Sequence, residues 1–97
     1  MNIKEEIINT GKKLKKEYEE AERFDLREED KKFVDLVFES FSNPPEKLIE
    51  LFSDHPGVLS KITLTWLVWA WNKLDRGVSL DELIIVIENY YIDDCLG

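Results

Sequence analysis

The chain predicts an all-α protein, a single small bundle of four to five helices, on three observations. Proline and glycine divide it into segments of helical length. Each segment spaces its apolar residues at steps of three and four. Several open with Asp, Asn or Ser followed three residues later by Glu, a pattern in which each residue satisfies an orphan amide of the first turn. The length of 97 residues suits one domain spanning 1–97, with its most apolar helix, about 58–74, at the centre.

The first helix is expected over about residues 3–22. Ile7, Leu14, Tyr18 and Ala21 form a narrow stripe with Gly11 in its gap, and the remainder is mostly Lys and Glu. About 20 residues at 1.5 Å each reach roughly 30 Å, so this helix is read as peripheral, or as an arm toward another chain. The second helix is expected to start at Asp25, with Glu28 completing its cap, and to bury Phe33, Val34, Val37 and Phe41 before Pro44 and Pro45 stop it. A short third helix follows, capped by Asn43, with Pro44 in its first turn and Leu48 and Phe52 inward. Ser53 to Gly57 reads as a loop. The fourth helix runs to Leu74 and ends near Gly77, and the fifth starts at the Ser79-Leu80-Asp81-Glu82 box and continues to about Ile92.

The fourth helix is the unusual one. At about 100° per residue, Trp66 and Trp69 lie about 60° apart, while Trp71 points about 140° from Trp66. Leu64, Leu67, Val68 and Ala70 fill the directions between. A helix apolar on every side must be enclosed, and a second greasy helix, Leu80 to Tyr91, competes for the same cover. An apolar interaction surface is therefore expected from Trp66, Trp69, Trp71, Ile85, Tyr90 and Tyr91, most simply as a homodimer contact.

Charge narrows the partners. The chain carries 21 acidic and 13 basic residues, net −8, and the excess sits in residues 33–97, with 11 acids against 4 bases. A duplex-binding surface needs clustered cations, so nucleic acid is not the expected partner. The carboxylates Asp75, Asp81, Glu82, Glu88, Asp93 and Asp94, beside two tyrosines, suit a basic protein surface instead. The basic cluster Lys12, Lys13, Lys15 and Lys16 is followed at once by Glu17, Glu19 and Glu20 and reads as a solvated face, with nucleic-acid-associated regulation as the alternative function.

Catalytic chemistry finds little footing. His55 is the only histidine, next to Asp54, and no nucleophile stands at a motif spacing from it. A small enzyme or enzyme subunit is thus the third reading. Cys95 lies among acids, which raise a thiol pKa. One Cys and one His 40 residues apart do not make a zinc site. Aligning Glu82 with the last ligand of a calcium loop puts Trp71 and Lys73 where carboxylates are needed. The four glycines are isolated, so no phosphate loop is present. No cofactor or metal is expected. The longest apolar run, Leu64 to Trp71, is far short of the ~20 residues of a membrane span, and a single cysteine with no leader-like start suits the cytoplasm.

The expected function is a small acidic, non-enzymatic protein–protein interaction module, self-associating and acting on a basic partner surface. In size, charge and helix content, though in no motif, it is similar in type to bacteriocin immunity proteins and to viral host-takeover or anti-defence inhibitors.

Overall fold

The computed structural model describes residues 2–20, 26–74 and 77–93, the side chain of Asp93 excepted. Five α-helices form an all-α bundle, and no strand occurs among the described residues. They are α1 (Ile3–Glu20), α2 (Glu28–Ser42), α3 (Glu46–Asp54), α4 (Leu64–Leu74) and α5 (Leu80–Ile87). A 3₁₀ turn, Pro56–Ser60, precedes α4, and a π-helix, Glu88–Asp93, extends α5. The radius of gyration is 12.6 Å. No helix among the described residues is long and apolar enough to cross a membrane.

Helix α1 is docked along the bundle. It packs on α2, α3, the 3₁₀ turn and α4. Ile7, Gly11 and Leu14 face that core. Gly11 explains the closeness: a Cβ built there would stand 2.7 Å from Phe41 Cβ, so only hydrogen lets the α1 and α2 backbones meet. Asn2 Oδ1 accepts from the Lys4 amide at 2.9 Å and opens the helix, with Glu5 and Glu6 at its positive end.

Three helix starts differ from expectation, each for a local reason. Helix α2 begins at Glu28, three residues after Asp25, which lies outside the described residues. Asp30 supplies the cap from inside the first turn: its Oδ2 accepts from the Arg27 amide at 3.2 Å and from Arg27 Nε at 3.3 Å. Helix α3 begins at Glu46, not Pro44, and Asn43 does not cap it. A residue before proline is driven out of the helical region, so Pro44 cannot be helical and the helix waits until Pro45 has passed. Pro45 itself is extended, at φ −70° and ψ 159°.

The stretch expected as one helix from Val58 to Leu74 is divided. Ser60 Oγ donates to the Gly57 carbonyl at 2.8 Å and the Lys61 amide to the Val58 carbonyl at 2.9 Å, which closes the 3₁₀ turn. Thr63 then restarts the chain: its Oγ1 accepts from the Trp66 amide at 3.2 Å, and its carbonyl takes the Leu67 amide at 3.1 Å. The loop expected at Ser53 to Gly57 shrinks accordingly, since Ser53 and Asp54 close α3. For α5 the Ser79 cap holds, with Oγ accepting from the Glu82 amide at 3.3 Å.

The core is aromatic and shared between helices. Phe33 of α2 stacks on Trp71 of α4, with centroids 4.9 Å apart and planes 12° from parallel. Phe41 meets Phe52 of α3 edge-on at 5.8 Å. Leu64, Leu67, Val68, Ala70 and Trp71 turn α4 inward. Each large side chain so enclosed contributes about 1.5–3 kcal/mol. Helix α4 is nevertheless not enclosed all round, because Thr65, Trp66, Trp69, Asn72 and Lys73 face solvent.

Candidate functional site

The open side of α4 carries the largest exposed apolar groups of the described chain. Trp66 is 40% exposed and Trp69 43%. Spaced three residues apart on one helix, they lie on neighbouring rows and stack, centroids 4.4 Å apart at 26°. Tyr90, from the π-helix, closes the group edge-on, 6.5 Å from Trp66 at 77° and 5.9 Å from Trp69 at 80°. Lys73, one turn beyond Trp69, holds its Nζ 5.2 Å from the centre of that ring. Thr65, one turn before Trp69, donates its Oγ1 hydrogen to Glu17 Oε1 of α1 at 3.5 Å, the long limit of such a bond. The result is an aromatic ledge with a cation at one end and a carboxylate at the other.

Neighbours decide which aromatic residues reach it. Tyr91 follows Tyr90 but points about a quarter-turn away. It is buried, and its hydroxyl donates to the Thr63 carbonyl at 3.4 Å, which ties the π-helix to the start of α4. Trp71 is 4% exposed and gives its Nε1 hydrogen to the Gly77 carbonyl at 3.2 Å. Both were expected on the interaction surface, and both are core residues. Their rings find cover from α2 and from the α4 start that a helix wheel cannot display. Ile85 is half-buried on α5. Of the six, Trp66, Trp69 and Tyr90 come together; the two indoles are exposed, and Tyr90, like Ile85, is half-buried.

Three side chains of the acidic set, Asp81, Glu82 and Glu88, are among the described residues. Asp81 is exposed and pairs with Lys47 of α3 at 3.5 Å. Glu82 is half-buried in the first turn of α5, and Glu88 is exposed. Asp75 and Asp94 lie outside the described residues, as does the side chain of Asp93. Lys12, Lys13, Lys15 and Lys16 are all exposed on α1, but Lys16 lies 4.0 Å from Glu20, and the shallow groove beside Lys13 and Lys16 is completed by Glu17 and Glu20.

His55 is half-buried, and its amide donates to the Leu51 carbonyl at 3.1 Å to close α3, while Asp54 is exposed. A shallow concavity of about 340 Å³ lies between α1 and the 3₁₀ turn, but its Thr10 and Ser60 hydroxyls both donate to carbonyls of their own segments at 2.8 Å. Cys95 lies outside the described residues. Among the described residues no three His, Cys, Asp or Glu side chains gather as a metal site would require.

One polar cluster escaped the sequence reading. Asp30, nearly buried, accepts at Oδ1 from Arg27 Nη2 at 3.3 Å and from Asn72 Nδ2 of α4 at 3.2 Å. Arg27 Nη2 also donates to Asn72 Oδ1. Burial alone would raise the Asp30 carboxyl, but the hydrogen bonds from Arg27 and Asn72, with the guanidinium charge, outweigh it and hold the group below its ordinary range. The Asp30 hydrogen bond and charge raise Arg27 in turn. The three-residue step from Arg27 to Asp30 was a visible signal; Asn72, 42 positions away, was not.

No protein-family model matches this chain, and neither the curated proteins nor the solved structures contain a significant match.

Proposed function

We propose that the chain is a non-enzymatic protein–protein interaction module that docks a partner with a basic surface through Trp66, Trp69 and Tyr90. The observation that carries this reading is the pair of stacked indoles left exposed, while every other aromatic ring of the described residues is buried or half-buried. Taking about 250 Å² for an indole side chain, their exposed fractions of 40% and 43% leave about 200 Å² in contact with solvent. Covering that area is worth up to about 5 kcal/mol before the costs of association. Tryptophan, tyrosine and arginine dominate binding hot spots for this reason.

The ledge is an anchor and not a whole interface, since each member of a stable pair contributes roughly 800 Å². Two copies carrying −8 each also repel, whereas a cationic protein is attracted. The reading therefore favours a different, basic protein over the homodimer. An inhibitor or immunity-type role, in which a small acidic chain covers a partner's basic surface, fits this arrangement.

The test is site-specific photo-cross-linking in the cells that make the chain, with a photoreactive phenylalanine analogue at position 69 and, as control, at the exposed Lys32 of α2. A discrete protein adduct is expected from position 69 only. Once purified, that protein should bind the native chain at least about ten-fold more tightly than the Trp66→Ala/Trp69→Ala variant. Identical adducts from both positions, or equal affinities, would refute the proposal.

A further inference from the structure

We infer that the outer face of Trp69 is a seat for an arginine of the partner, which takes the place that Lys73 holds in the free chain. This deepens the docking reading and rests on it. In the stacked pair each indole uses one face on the other and Tyr90 stands against both, so what Trp69 offers a visitor is its outer face and the rest of its rim. A cation already stands against that ring: Lys73 Nζ is 5.2 Å from its centre. Indole is the strongest aromatic partner for a cation. Guanidinium, flat and weakly hydrated, stacks on such a face better than an ammonium does. Lys73 is also exposed, so its removal to solvent is easy.

Charge supports the choice of occupant. The whole chain is strongly acidic, which draws a cationic segment toward it. Thr65, Trp69 and Lys73 follow one another at four-residue steps, so they form one row on α4. At the Thr65 end of that row stands the Glu17 carboxylate, a counter-charge for a second basic group of the same segment. A second copy of this chain is a poor occupant, since it carries the same charge of −8.

The test titrates the full chain with a short peptide of alternating Arg and Gly, its Lys counterpart and its Glu counterpart, at about 0.15 M salt, where bare surface attraction is largely screened. Tryptophan fluorescence and calorimetry report binding. The Arg peptide should saturate, and it should bind about three-fold or more tightly than the Lys peptide, with the Glu peptide inert. Trp69→Ala should lose at least about ten-fold in affinity, and Lys73→Ala should gain, because the resident cation no longer competes. Far-UV circular dichroism of both variants should match the parent. Equal binding by the parent and Trp69→Ala, or no preference for Arg over Lys, overturns the inference as attraction by charge alone. In that event the photo-cross-linking result still decides separately whether a protein docks on the ledge. Concentration-dependent dimerisation that is lost in Trp66→Ala/Trp69→Ala, without Arg-peptide binding, also overturns it and identifies a second copy as the occupant.

Discussion

Gly11 is where the packing of this bundle can be tested most sharply. Replacing it with alanine adds one methyl group to the middle of α1. On helix propensity alone the change should stabilise, because glycine costs about 1 kcal/mol relative to alanine in a helix interior. The geometry opposes it. The new Cβ would lie 2.7 Å from Phe41 Cβ and 3.4 Å from the Phe41 carbonyl carbon. Neither atom is the far end of a flexible side chain, so α1 and α2 must separate. Separation loosens the contacts of Ile7, Leu14 and Phe41, all fully buried. Overpacking of this kind costs about 1–3 kcal/mol, and a forced shift of two helix axes belongs at the upper end. After the propensity gain, Gly11→Ala should destabilise by about 1–2 kcal/mol and lower Tm by roughly 4–16 °C. Gly57 provides the control, since a Cβ there meets nothing within 4 Å, and its alanine variant should stay within about 0.5 kcal/mol of the parent. Urea unfolding followed by circular dichroism measures both. A Gly11→Ala protein as stable as the parent would refute the close approach of α1 and α2.

Further outcomes can be checked with the same assay. Asp30 is depressed below its ordinary value of 3.8. Its stabilisation is therefore whole above that value and is lost as pH falls through the lower folded one; Asp30→Asn should cost about 1–3 kcal/mol at neutral pH and flatten the acid limb of the stability–pH profile. Trp71→Ala should destabilise by about 3–5 kcal/mol, whereas Trp69→Ala should cost no more than about 1.5 kcal/mol, the value of an aromatic pair; iodide should quench the Trp66 and Trp69 emission and spare Trp71. Ser79→Ala should cost about 0.5–2 kcal/mol through its cap on the Glu82 amide, while Asn43→Ala should be nearly neutral, since α3 starts three residues later.

Periodicity and punctuation carried the fold a long way. The Ser79 box and the Pro44–Pro45 pair marked boundaries because their physics is local to a few bonds. What local patterns could not show was competition. Thr63 sits inside a run that reads as continuous helix, and its hydroxyl wins the Trp66 amide from it. Asp25, the expected cap, lies outside the described residues, and Asp30 caps from the third helical position, where Arg27 and Asn72 converge on it. The site behaves likewise. The wheel set Trp71 about 140° from Trp66 but left both on the expected surface; which of the two directions is covered depends on Phe33, 38 positions before Trp71. Tyr90 was identifiable as an apolar interaction candidate, but its meeting with Trp66 and Trp69 depends on how the π-helix seats against α4.

The Asp30–Asn72 bond has a kinetic meaning. Asn72 lies between Trp71 and Lys73, so a polar latch to α2 and the Phe33 stack both fix the roll of α4 about its own axis. With that roll fixed, the outward indoles cannot swing under cover and back. On the docking reading proposed above, a visitor would meet them already presented, with little ordering left to do. Encounters should then proceed in one step, at a rate linear in concentration, and unlatching α4 by Asn72→Ala should slow the approach of a partner before it weakens the finished complex.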